Sequence, residues 1–399
     1  MNGAFPPTRR IRIGGAGGVK ELFIGANAPV SIQTMWKEPL TRASLEGGGG
    51  RETLRRIEAL SALGCGLLRF AVPDMESAET LGRLTSLCPM PLVADIHFDY
   101  RLALAVLEFP VAKIRINPGN IGGKDRARLV LSKARDAGVP VRIGVNGGSL
   151  PRDLRDELSS GRISRTDALV RAAERELELA DEAGFEDLVV SMKTSSVRGT
   201  IAAARAFSAR RREPLHVGVT EAGPLVAGVA RNTAALYTLL GEGLGDTVRV
   251  SLSSSMENEV IAAREILAAA RESRLEAGLP AARLSAAGGV SIISCPRCGR
   301  CAFDTHAFTE RWQEKLYALR QNLTVAVMGC PVNGPEEARS ADIGITGAGG
   351  KVLIFRHGAI SRRLDVPPDP AAAAEITDRA FQQELSGGQP ISPAAFNVK

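Results

Sequence analysis

The sequence predicts an α/β protein: an N-terminal (β/α)8 barrel of the TIM type followed by a smaller C-terminal α/β domain. Three observations carry this reading. Short β-branched or apolar runs alternate with helix-like stretches about eight times between residues 29 and 270. Such alternation builds a parallel sheet, and eight units suffice to close it. No G-x-G-x-x-G opens a helix after the first run, which argues against an open dinucleotide-binding sheet. Beyond residue 270 the pattern changes: a linker-like stretch at 279–289 leads into a segment rich in cysteine. The domains implied are residues 1–282 and residues 283–399.

Taken in order, residues 9–13 and 21–24 flank Gly14-Gly-Ala-Gly-Gly18 and read as a β-hairpin that plugs the bottom of the barrel. Strands are expected at 29–34, 67–72, 92–96, 112–117, 141–146, 188–193, 215–220 and 247–252. Helical patterns include 51–63, 127–137, 166–183 and 258–270, and the Gly47–Gly50 run reads as a flexible loop after the first strand. In the second domain a helix is expected near 308–321, strands at 323–328, 343–346 and 352–355, and a last helix over 371–385. Residues after Gly387 are rich in Gly, Pro and Ser and are expected to fray.

Composition narrows the function classes. Aromatic residues are only 4% of the chain, too few for base-stacking platforms. The net charge of +6 is spread along the chain, so it suits an anionic small molecule, nucleic acid or an acidic partner without choosing among them. No run of 18 apolar residues and no signal-type apolar segment occurs, so no membrane span and a cytoplasmic, reducing compartment are expected. There, clustered cysteines bind metal or react rather than form disulfides. Cys65 and Cys88 stand apart in apolar surroundings and read as core thiols.

Functional residues of such barrels sit at the C-terminal strand ends. Those ends read Arg69; Asp95 and His97; Arg115 and Asn117; Arg142 and Asn146; Ser191 and Lys193; Glu221; Arg249 and Ser251. Strand side chains alternate with period two, so the paired residues on each strand share a face. If that face points inward, cations from five strands meet in one small volume, and unpaired buried cations imply a bound polyanion. Against this, an Arg at a strand end is commonly ion-paired to a neighbouring acid. Glu221 either neutralises an Arg or serves as proton donor or base. His97 is either a donor to the anion or a satisfied core residue.

Cys295-Pro-Arg-Cys298-Gly-Arg-Cys301 and the later Cys330-Pro resemble the spacing of iron–sulfur ligation, with the fourth cysteine displaced far downstream. A zinc site completed by His306 is the alternative. It would make the chain a barrel with a zinc-ribbon-like module binding nucleic acid or protein.

Together these segments resemble one family. Leu92-Val-Ala-Asp-Ile-His-Phe-Asp-Tyr100, Arg115-Ile-Asn-Pro-Gly-Asn-Ile121, Arg142-Ile-Gly-Val-Asn146, Gly218-Val-Thr-Glu-Ala-Gly223 and Gly245-Asp-Thr-Val-Arg-Val-Ser251 look like its barrel signatures. Ser294-Cys-Pro-Arg-Cys-Gly-Arg300 and Met328-Gly-Cys-Pro-Val-Asn-Gly-Pro335 look like its cluster signatures. The family is 4-hydroxy-3-methylbut-2-enyl diphosphate synthase of the methylerythritol phosphate route to isoprenoids, in its short bacterial form. The resemblance implies a [4Fe–4S] oxidoreductase. It would convert 2-C-methyl-D-erythritol 2,4-cyclodiphosphate to the linear allylic diphosphate with two electrons from ferredoxin or flavodoxin. It further implies a homodimer in which one subunit's cluster domain closes over the other's barrel.

By the same resemblance Cys295, Cys298, Cys330 and Glu337 are the cluster ligands. Arg69, His97, Arg115, Asn117, Arg142, Asn146, Lys193, Arg249, Ser251 and Asn333 bind the diphosphate, and Glu221 assists hydroxyl loss. Three features depart from the family pattern. Glu336 replaces a glycine beside Glu337, Cys301 stands where the family usually lacks a cysteine, and the Met35-Trp-Lys-Glu-Pro39 loop differs.

Overall fold

The computed structural model describes residues 5–117, 121–146, 150–284, 289–331 and 338–387. Its first element is an antiparallel hairpin, β1 (Ile11–Ile13) and β2 (Leu22–Ile24), paired Ile11 to Ile24. Strands and helices then alternate: β3 (Ser31–Met35), α1 (Gly47–Ala62), β4 (Cys65–Ala71), α2 (Met75–Leu87), β5 (Leu92–Asp95), α3 (Tyr100–Val106), β6 (Lys113–Ile116) and α4 (Lys124–Asp136). The series continues with β7 (Val141–Asn146), α5 (Arg152–Ser159), α6 (Arg165–Glu182), β8 (Leu188–Lys193), α7 (Val197–Ser208), β9 (His216–Val217), α8 (Leu225–Gly241), β10 (Thr247–Val248) and α9 (Met256–Glu276).

The strands are parallel in the order β8-β7-β6-β5-β4-β3-β10-β9, and a parallel bridge between Val190 and Leu215 closes the ring. Covered on both faces, β5, β6 and β8 are buried along their whole length, and that burial takes in Asp95, Lys113, Arg115, Ser191 and Lys193 as well as their apolar residues. Helix starts follow local chemistry: Asp74, Ser196 and Ser255 cap α2, α7 and α9, and Ser164 with Asp167 forms a capping box on α6. The hairpin buries Ile11, Ile13 and Ile24 against Leu67, Val93 and Val189, so it closes the barrel floor. Among the described residues no helix is long and apolar enough to cross a membrane.

Two expectations are corrected here. The Gly47–Gly50 run is not a loop but the first turn of α1, directly after a 3-10 turn at Arg42–Leu45. A Cβ on Gly49 or Gly50 would lie 2.5 or 2.6 Å from the carbonyls of Ala43 and Leu45, so the glycines permit that tight junction. The last two barrel strands are far shorter than the apolar runs implied. Gly218 (φ 149°) turns β9 out of the ladder, and a Cβ there would stand 2.1 Å from the Arg249 carbonyl.

The chain divides into two compact units, Met1–Ala286 and Ala287–Lys399. The second holds β11 (Gly289–Ser294), α10 (Thr305–Tyr317), β12 (Asn322–Met328), β13 (Ile343–Ala348), β14 (Lys351–Arg356), β15 (Ala359–Asp365) and α11 (Pro370–Leu385). Its sheet runs β11-β12-β13-β14-β15, parallel across the first three strands and antiparallel across the last three. Phe308 and Trp312 of α10 meet Phe381 of α11 edge to face and close the core. β11 and β15 exceed the three strands expected for this unit. β15 is an Arg-bearing, mostly exposed edge with no apolar signal, and β11 starts inside the stretch read as linker. The segment expected to fray, from residue 388 onward, lies outside the described residues.

Candidate functional site

The C-terminal ends of the barrel strands carry a continuous ring of cations. Asp95, ending β5, accepts from Arg115 Nη1 at 3.1 Å and lies 3.6 Å from Arg69 Nε. His97 Nε2 stands 3.3 Å from that carboxylate and 2.9 Å from Arg115 Nη1. Arg69 Nη2 and Arg249 Nη1 both reach Met35 Sδ, at 2.8 and 3.8 Å. Arg249 also donates Nε and Nη2 to Glu259, each at 3.2 Å. Arg142 pairs in register with Arg115 and donates Nη1 to Ser191 at 2.6 Å. Lys193, two residues on along β8, places Nζ 3.3 Å from where a Cβ of Gly218 would sit, beside Arg249. Glycine at 218 therefore makes room for the Arg249 carbonyl and the Lys193 ammonium.

Charge is not balanced around this ring. Arg69, Arg115, Arg142, Lys193 and Arg249 face Asp95 and Glu259, and Lys37 also draws on Glu259 at 3.1 Å. Arg115, Arg142 and Lys193 are 5, 2 and 7% exposed. Among the described residues, Arg69 Nε, Arg115 Nε and Arg142 Nε and Nη2 have no hydrogen-bond partner. Burial first, then the neighbouring guanidinium groups, push Arg142 and Lys193 well below their ordinary values. Burial likewise brings Arg69 to about 10, against the pull of Asp95. Burial opposes ionisation of Asp95 and Glu259, yet Arg69 beside the first and Arg249 beside the second hold both below the usual carboxylate range. Unpartnered donors in a net positive buried ring have the chemistry to receive an anion.

Other sequence-derived candidates are placed less centrally. Asn117 is buried, Asn146 and Ser251 are half-buried, and His97 is exposed. Glu221 is exposed, just past β9, in a left-handed conformation (φ 51°), and no ion pair joins it to the ring among the described residues. Asn333 and Glu337, with Glu336, lie outside the described residues. Sequence reasoning missed Glu259, Met35 and Lys37. Glu259 sits in the first turn of α9, where an acid ordinarily reads as a helix-dipole partner. Instead it accepts from Thr34 at 2.7 Å and the Leu252 amide at 3.1 Å as well as from Arg249. The divergent loop is thereby tied to the mouth: Lys37 also donates to the Leu252 carbonyl at 3.0 Å, and Trp36 stacks on Phe70.

In the second unit the cysteines gather at the ends of β11 and β12. The Cys295 amide donates to the Val327 carbonyl at 2.9 Å, and the Ala302 amide to the Gly329 carbonyl at 2.7 Å. The turn carrying Cys298 and Cys301 is thus folded over the strand that leads to Cys330. Arg297 (φ 73°) and the Thr305 hydroxyl, donating to the Cys295 carbonyl at 3.0 Å, shape that turn. Cys295 is half-buried, Cys298 exposed and Cys330 buried. Among the described residues no three potential ligands already converge on one metal position. The donor chemistry nevertheless fits an iron–sulfur group. A Cβ on Gly329 would fall 2.8 Å from Cys301 Sγ and 3.6 Å from Cys295 Sγ, so a bare backbone lines the space between the thiols. Cys301 donates Sγ–H to the Phe303 carbonyl at 2.8 Å, which occupies it locally. His306 is exposed and pairs with Glu310 at 3.4 Å rather than with a cysteine. Cys65 and Cys88 are buried, and burial pushes the Cys65 thiol up to about 12.

Comparison with known proteins bears on both units. Residues 8–264 match the GcpE TIM-barrel domain and residues 291–375 the GcpE protein C-terminal domain. A protein of Treponema pallidum is 50% identical over 386 residues, covering 95% of this chain and 91% of that one. One of Treponema denticola is 48% identical over 395 residues, covering 94% and 97%. One of Geobacter sulfurreducens is 40% identical over 371 residues, covering 93% and 96%. All three are named 4-hydroxy-3-methylbut-2-en-1-yl diphosphate synthase (flavodoxin).

Proposed function

The chain belongs to the GcpE family, and from that membership we infer its chemistry. It is an oxidoreductase that opens the ring of 2-C-methyl-D-erythritol 2,4-cyclodiphosphate and expels water, giving 4-hydroxy-3-methylbut-2-enyl diphosphate for isoprenoid biosynthesis. Nothing in the matches supports a nucleic-acid-binding zinc module. The observation that carries the substrate reading is the ring in which five cations face two carboxylates.

We assign the residues as follows. Arg69, Arg115, Arg142, Lys193 and Arg249 bind the cyclic diphosphate, with His97, Asn117, Asn146 and Ser251 of the same barrel, and Asn333 is assigned to the substrate from family membership alone. Asp95 and Glu259 orient Arg69, Arg115 and Arg249 rather than cancel the ring. Ring opening frees a phosphate oxygen, so negative charge grows where Arg142 and Lys193 lack a carboxylate partner. Glu221 stands at the mouth to deliver the proton that turns the departing hydroxyl into water. Cys295, Cys298 and Cys330, with Glu337, would hold a [4Fe–4S] cluster. When bound, that cluster supplies the two electrons, passed on from a flavodoxin. We further assign the protein to the cytoplasm, as a homodimer.

The decisive experiment is turnover of the cyclic diphosphate by anaerobically purified protein with reduced flavodoxin. Iron- and sulfide-replete protein that forms no allylic diphosphate would overturn the reading. Glu337→Ala tests the ligand assignment: iron and sulfide content should persist on three cysteines while turnover falls steeply, and full activity would refute it.

A further inference from the structure

Below the mouth, the barrel interior is polar where such barrels are ordinarily filled with Val, Ile and Leu. Lys113 lies on the inward face of β6, two residues before Arg115, and is 0% exposed. Its Nζ has no partner among the described residues. Gln33 of β3, 1% exposed, has both amide atoms unpartnered, and so is Nε2 of His216, whose Nδ1 meets Thr247 Oγ1 at 2.8 Å. Beneath this layer the hairpin floor is wholly apolar.

The charged groups facing Lys113 come from several strands. Arg69 on β4 and Arg142 on β7 repel an ammonium there. His216 on β9 shares the field of Lys113, Lys193 on β8, Arg142 and Arg69. The carboxylate of the neighbouring strand, Asp95 on β5, stands level with Arg115 and is already engaged by Arg69, Arg115 and His97. Arg249 on β10 is taken up by Glu259 of α9. An ammonium at Lys113 is thus uncompensated, and burial first and the two guanidiniums next push its proton affinity well down. A dianion or trianion in the ring above reverses the sign of that field.

We propose that Lys113 is a proton-uptake site linked to occupation of the mouth: a neutral amine in the free barrel, and an ammonium once a diphosphate sits above it. The step is a simple protonation, amine plus solvent proton giving ammonium, with no redox partner. It rests on the anion-receptor reading of the mouth and adds to it. Because the overall reaction consumes a proton, substrate binding itself would carry one into the sealed barrel.

The test is calorimetric titration of the full chain with inorganic pyrophosphate at one neutral pH, in buffers of different ionisation enthalpy. The slope of heat against buffer enthalpy gives the protons taken up per anion. Wild type should take up about one proton more than Lys113→Met. Pyrophosphate's own protonation and that of Lys193 are common to both and cancel in the difference. Affinity of Lys113→Met should also vary less with pH. Equal proton numbers in two proteins that both bind would overturn the proposal while leaving the receptor intact. Failure of the wild type to bind pyrophosphate would overturn the receptor reading and the linkage with it. If Lys113→Met does not fold, Lys113→Arg, permanently charged, should show the same drop in proton number, and retention of the full number would refute the idea.

Discussion

Arg142→Met should stabilise the free protein and weaken anion binding together. Arg142 is 2% exposed and makes one described hydrogen bond, to Ser191 at 2.6 Å, while Nε and Nη2 have none. Removing that bond costs about 1.5–3 kcal/mol as a charge-assisted interaction. Against it stands repulsion from Arg115, its register mate on the adjacent strand. At a separation of about 5 Å and an effective dielectric of 20, that repulsion is about 3 kcal/mol. Relief of the desolvation penalty adds to it, and swapping buried charges for apolar groups of similar volume typically gains about 1–4 kcal/mol. Met matches the length of the stem, so cavity terms are small. The balance favours the variant by about 1–5 kcal/mol. Pyrophosphate affinity should fall about 10- to 150-fold, the loss of one charge-assisted donor. Urea unfolding read by circular dichroism gives the first quantity and calorimetry the second. A variant less stable than wild type with unchanged affinity would show that Arg142 is a satisfied structural cation, and the receptor argument would fail.

Other outcomes follow from the same geometry. Glu259→Gln should destabilise the barrel by about 2–4 kcal/mol, because it strips the buried counter-charge from Arg249 and Lys37; a loss under about 0.5 kcal/mol in urea titration refutes this. Glu221→Gly should raise stability by about 1 kcal/mol, since φ 51° suits glycine, yet abolish turnover. Retained turnover would remove Glu221 from the chemistry. Burial opposes the charge on Asp95 and Glu259, but Arg69 and Arg249 hold both carboxyls low, so their contribution is complete above the ordinary carboxylate pKa of about 4. It is lost as pH falls through the depressed folded values, and a stability profile still level at about pH 2 would contradict the assignment.

The sequence revealed most where burial is two-sided. β7 and β8 have the expected limits because one face needs Val, Ile and Leu against the helices while the alternate positions carry Arg142, Ser191 and Lys193 into the barrel. It misled where geometry depends on contacts remote in sequence. The extended apolar runs at 215–220 and 247–252 leave the ladder after two residues, because Gly218 lies against the Arg249 carbonyl. Period two put Arg115, Arg142 and Lys193 on inward faces, and applied one step earlier it also points to Lys113. Glu259 and Met35 reach the mouth from a helix turn and a strand tip, where no periodic pattern marks them. The cysteine spacing located the second site, but Gly329 shows only in three dimensions why the space between the thiols stays open.

The ring therefore contains two kinds of cation. Arg69, Arg115 and Arg249 are each held by a carboxylate, so they are oriented before any ligand arrives. Arg142 and Lys193 are not, and they lie on the adjacent strands β7 and β8. Oriented cations bind substrate and product alike, whereas uncompensated ones respond most to charge that develops during ring opening. Lys193→Gln should accordingly lower kcat and kcat/KM about equally, by about 100-fold for one lost charge-assisted contact, with KM little changed. A raised KM with kcat intact would show that Lys193 grips the ground state as firmly as the transition state, and the division of the ring into two roles would not stand.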